Sequence, residues 1–144
     1  MFCDELMIGD WVQFADGSKN CEVVGINLAE EVTITVMDSN GHWLDKNIDE
    51  LRLIQITPEI LEKNGFKKHD FVGVKKHHKW SFWFGDLSTP ISISLWCREL
   101  NDYHMDGWMV EIHRPLSSLC VKVDYVHELQ HAIRLCKIVK EITI

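Results

Sequence analysis

The chain has 144 residues, enough for one domain or two very small ones. Apolar residues make up 46%, sufficient for a core, and a formal charge of −7 argues against a general phosphate-binding surface while leaving room for a local basic patch. Five cysteines without a C-x-x-C pair read as free thiols in a reducing compartment, and no stretch approaches the length of a transmembrane helix.

The first residues, Met1-Phe2-Cys3-Asp4-Glu5, carry neither a basic n-region nor an apolar run, so the expectation is a soluble, cytoplasmic protein with no membrane partner. Residues 6–56 read as short strands at 7–14, 21–26, 32–37, 42–44 and 51–56. Asp16-Gly17 and Asp38-Ser39-Asn40-Gly41 are turn signals, and 47–50 reads as a short helical turn. Thr33 and Thr35 alternate with apolar neighbours, as in a sheet with one face in water. Five short strands joined by tight turns suit a small barrel. Trp11 and Trp43 are candidates for an exposed aromatic groove.

Residues 57–66 form a short helix with clear end signals. Thr57 is the N-cap, Pro58 the first helical residue and Gly65 the left-handed stop. A second β region follows, with strands expected at 71–75, 80–84, 91–96, 108–113 and 119–124, and turns at Gly85-Asp86 and Asp106-Gly107. Trp80, Phe82 and Phe84 share one face of their strand, with Ser81 and Trp83 on the other. Ile91, Ile93 and Leu95 share a face opposite Ser92 and Ser94. This alternation implies one antiparallel sheet with a single packed face. Two basic clusters lie here, Lys67-Lys68-His69 and Lys75-Lys76-His77-His78-Lys79-Trp80. Lys75, Lys76, His78 and Trp80 are the candidate contacts, and a nucleic acid is their alternative ligand. The loop 101–106 carries titratable groups but reads as an exposed turn.

The strongest helix signal is residues 125–136, opening at Asp124 as N-cap. Val126, Leu129, Ile133 and Cys136 define an apolar arc that would cover the sheet. His127, Gln130, His131 and Arg134 fall on the opposite arc, read as solvated. His127-Glu128-Leu129-Gln130-His131 matches H-E-x-x-H, in which two histidines one turn apart bind zinc and the glutamate is the general base. The extended motif would require Gly and His where Arg134 and Lys137 stand, and the only carboxylate after His131 is Glu141. A third ligand would come from His104, His113, Cys120, Asp106 or Glu111. Residues 141–144 are expected as an edge strand or a docked tail.

Gly9-Asp10-Trp11-Val12 resembles the opening strand of SH3-like barrels, which implies a fold that binds peptides, proteins or nucleic acid. Taken whole, the chain resembles a family of short bacterial proteins often carried on prophages and other mobile elements. The resemblance rests on residues 6–12, on residues 53–66 and on Tyr125-Val126-His127-Glu128-Leu129-Gln130-His131. That family closes on Tyr-Val-His-x-Leu-Gln without requiring Glu128 or His131, and it implies no activity.

The expectation is therefore an α+β, mainly β protein. Residues 1–56 form an SH3-like barrel, and residues 57–144 add a helix, an antiparallel sheet and a C-terminal helix. The function expected is non-enzymatic binding of a protein or small ligand, without cofactor. The alternative is a zinc hydrolase using His127, Glu128 and His131.

Overall fold

The structure, a computed structural model, describes residues 5–71, 77–84, 90–101 and 104–144. It is mostly β, with two antiparallel five-stranded sheets and two helices. Two compact units divide the chain. The first is residues 1–55 with 125–127 and 144; the second is 56–124 with 128–143. No helix among the described residues is long and apolar enough to cross a membrane.

The first unit contains β1 (Trp11–Phe14), β2 (Asn20–Asn27), β3 (Thr33–Met37), β4 (Trp43–Asn47) and β5 (Leu51–Leu53), in the order β4-β3-β2-β1-β5. What these strands build is an antiparallel sheet with β4 and β5 at its edges. The first strand is shorter than expected because residues 7–10 form a turn. Asp10 Oδ2 accepts from the Met7 N–H at 2.7 Å, the Asp10 N–H returns to the Met7 carbonyl, and Gly9 takes a φ of 90°. Alternation then puts Val12, Cys21, Val23, Ile34, Val36 and Leu51 into a core with Leu6. Burial pushes the Cys21 thiol above its ordinary pKa. The β3–β4 turn closes on Asp38, whose Oδ1 accepts from the N–H groups of Asn40 and His42 at 2.9 and 3.0 Å. The His42 N–H is the main reason that carboxyl is held below the usual carboxylate pKa.

The second unit opens with α1 (Pro58–Lys63). Thr57 Oγ1 accepts from the Ile60 N–H, and Pro58 occupies the first turn. Gly65 at φ 84° ends the helix, with the Gly65 N–H bonded to the Glu62 carbonyl and the Phe66 N–H to that of Leu61. Five strands follow as a simple meander: β6 (Lys67–Phe71), β7 (His77–Phe84), β8 (Ile91–Asn101), β9 (His104–Arg114) and β10 (Ser117–Val123). Asp106-Gly107 is not a turn. The strand runs through it, with Gly107 at φ 68°, and the space a Cβ would need there is taken by the Lys122 and Asp124 side chains. β6 covers Lys67–Phe71; of the strand expected at 71–75 only Phe71 is described, since residues 72–76, like Gly85-Asp86, are outside the described residues.

Helix α2 (Val126–Leu135) begins two residues later than Asp124. It ends in the same motif as α1, with the Lys137 N–H bonded to the Arg134 carbonyl and that of Ile138 to the Ile133 carbonyl. Lys137 stands at φ 57° where glycine is favoured. Lys137→Gly is expected to raise stability by about 0.5–1 kcal/mol in chemical denaturation, the left-handed cost to lysine less glycine's backbone entropy.

The chain after α2 docks without becoming a strand. Gln130, only 1% exposed, accepts from the Ile142 N–H at 2.6 Å and donates to the Lys140 carbonyl at 3.1 Å. Asn64 at the end of α1 makes a second clamp, accepting from the Thr143 N–H at 2.8 Å and donating to its carbonyl at 2.7 Å. Lys140 Nζ donates to the Asn64 carbonyl at 2.9 Å and lies 3.9 Å from the Phe82 ring centre. Burial pushes the Lys140 ammonium below the ordinary lysine pKa.

Candidate functional site

Strand alternation and register give the second sheet two unlike faces. Trp80, Ile93, Leu95, Cys97, Trp108, Val110 and Ile112 are buried on one of them. The other is read off the same pairings as three cross-strand rows. The first is Lys67, Ser81, Ser94, Glu111 and Cys120. The second is His69, Lys79, Trp96, Met109 and Lys122. The third is Trp83, Ser92, His113 and Ser118.

The middle of this face is a floor of small residues. Ser81, Ser92 and Ser94 are buried because their side chains are short and their neighbours long. Trp83 rises beside them and is 65% exposed. A cavity of about 280 Å³ lies at this end, lined by Gly65, Lys67, His69, Ser81, Phe82 and Trp83. His69 Nε2 and Ser81 Oγ are 2.9 Å apart, which holds the imidazole across the strand as one wall. Lys79 Nζ sits 4.8 Å from the Trp96 ring centre, and His113 Nε2 is 3.2 Å from Glu111 Oε2. Lys67, Lys79 and Lys122 share this face with two carboxylates, Glu111 and Asp124, the latter beside Lys122 over Gly107. The face therefore has a positive balance on a chain whose net charge is −7.

The residues singled out from the sequence fall in several places. Trp80 is 2% exposed and meets Trp108 edge-on at 5.2 Å between ring centres, so it is a core residue. His78 is half-buried on the same face, 6.1 Å from Trp80. Lys75 and Lys76 lie outside the described residues. In the first unit, register puts Trp11 and Trp43 in one row, with Glu22 and Met37 between them. Trp43 is 68% exposed and Trp11 half-buried. Three strand spacings separate them, about 14 Å, too far for the rings to form one cleft.

The histidines of the H-E-x-x-H match do not share a solvated face. His127 is 2% exposed and stacks on Tyr125, with 6.0 Å between ring centres, while His131 is half-buried. Glu128 ties the helix to the residue leading into it: its Oε2 accepts from the Asp124 N–H at 2.7 Å. Among the described residues, no three His, Cys, Asp or Glu side chains come together as a metal-ligand set. His113 and Glu111 are on the open sheet face with Cys120, and the side chains of His104 and Asp106 are outside the described residues. Cys21, Cys120 and Cys136 are free thiols.

This bond predicts how Glu128 variants behave. Glu128→Ala is expected to cost about 1 kcal/mol in thermal denaturation, whereas Glu128→Gln keeps a carbonyl acceptor and most of that stability. Equal losses in both variants would show that the carboxylate charge, not the bond, is what matters.

Trp83 and the serine floor were visible in the sequence as a strand face but carried no motif. Their signal was the Ser-x-Trp and Ser-x-Ser alternation of residues 81–83 and 92–94. No family model, no curated protein and no solved structure matches this chain.

Proposed function

We propose that this is a non-enzymatic binding protein that takes its ligand on the open face of the second sheet. The observation that carries the reading is Trp83, a large aromatic ring left 65% exposed beside a floor of buried serines and a cavity of about 280 Å³. An exposed ring of that size next to a cavity lined by Lys67, His69 and Ser81 offers a stacking surface with hydrogen-bonding groups beside it. The cavity is smaller than the roughly 300–1,000 Å³ of sites for whole drug-sized ligands, so it suits one ring or side chain of a larger ligand. The first unit, opening on Gly9-Asp10-Trp11-Val12, is read as an SH3-like barrel serving an adaptor role. A cytoplasmic setting, on a prophage or mobile element, belongs to the same proposal and rests on the sequence resemblance and the free cysteines.

A thermal-shift panel of mononucleotides, oligosaccharides and short peptides tests this. A compound that raises the Tm of the wild type but not of Trp83→Ala supports the face. Shifts that survive Trp83→Ala contradict it, and turnover of any panel member contradicts the non-enzymatic reading.

A further inference from the structure

We infer that the ligand of this face is a single-stranded nucleic acid, an inference that rests on the binding face proposed above. Charge is the first argument. A chain of net charge −7 repels a polyanion in general, so a polyanion can engage only where the local balance reverses. The open face is such a place, with Lys67, Lys79 and Lys122 against Glu111 and Asp124, a balance still positive by one.

The layout of those charges is the second argument. Lys67 is on β6 and Lys122 on β10, the two edge strands, with Lys79 on β7 between them. At about 4.8 Å per strand, the lysines span about 19 Å across the sheet. A single small anion meets one of them; an extended chain with regularly spaced anions meets all three. The exposed ring points to the same ligand. Trp83 presents an exposed aromatic face beside the cavity, which matches base stacking combined with a cationic track along the backbone. The His69–Ser81 pair lining the cavity adds groups that donate or accept without selecting one base edge, consistent with sequence-tolerant binding. A duplex keeps its bases stacked inside and offers Trp83 nothing to stack on, so the unpaired strand is the form that fits.

The experiment is fluorescence anisotropy of the full chain with labelled oligothymidylate and oligouridylate of about ten nucleotides, within the range of known single-strand sites. Binding is expected, with log K falling against log salt at a slope of about −2 for three phosphate contacts. Trp83→Ala is expected to weaken binding about five- to 150-fold. Lys67→Ala and Lys122→Ala should each reduce the slope by about 0.7. Lys63→Ala, an exposed lysine on α1, serves as the charge-loss control and should leave both unchanged. Absence of binding at low salt overturns the inference. So does binding insensitive to Trp83→Ala, or duplex DNA or dextran sulfate bound as tightly as the single strand. Where no oligonucleotide binds but a saccharide or peptide shifts the Tm through Trp83, only the nucleic-acid inference falls. Where nothing in the panel depends on Trp83, the proposed face falls with it.

Discussion

Trp80→Ala is expected to cost about 4 kcal/mol and lower the Tm by about 10–15 °C, the largest single effect in the chain. The ring is almost wholly enclosed and packs edge-on against Trp108, so truncation loses its transfer free energy, leaves a cavity and removes an aromatic pair. Its Nε1 has no hydrogen-bond partner among the described residues. Trp80→Phe therefore gives up no hydrogen bond and should cost clearly less. Urea denaturation of both variants checks this. A Trp80→Ala protein of unchanged stability but weaker ligand binding would instead put Trp80 at the surface, as its place in the basic cluster suggested.

The second large effect is expected at Gln130. Gln130→Ala strands the buried Ile142 N–H and the part-buried Lys140 carbonyl, for an expected loss of about 2–3 kcal/mol. Gln130→Glu is a sharper probe. It can still accept from Ile142 but, when ionised, cannot donate to Lys140, and it places a charge in a buried site. Burial raises the pKa of such a carboxyl in the folded state, so the variant should gain stability relative to wild type as pH falls and the group becomes neutral. Hydrogen exchange at the Ile142 amide reads the same contact directly and should speed up in both variants.

These two residues also show what the sequence could reveal. The alternation of residues 80–84 and 91–96 was enough to divide the second sheet into a packed and an open face. The end signals at Thr57, Pro58 and Gly65 were enough to place α1, because each acts within one turn of the chain. Gln130 was misread as solvated for the opposite reason. Its partners are 10 and 12 residues downstream, and the other clamp on the tail joins Asn64 to Thr143 across 79 positions. Helical periodicity reports a helix's own faces and not the segment that returns to cover one of them. Asp106-Gly107 failed differently: the signature marks a register shift inside β9, between its Trp108 and Met105 pairings with β8, where Gly107 takes a φ of 68° and a Cβ would meet Lys122 and Asp124. The candidate site was legible only as a pattern of serines and Trp83. The cavity depends on how β6, β7 and Gly65 meet, which no local spacing encodes.

The most direct test of the binding face is the indole N–H signal of Trp83 in a two-dimensional NMR spectrum during titration with the ligand panel. Trp83 is expected to move together with backbone amides of β7 and β8. Shifts confined to Trp43 and β4, with Trp83 unmoved, would contradict it and place recognition on the first sheet.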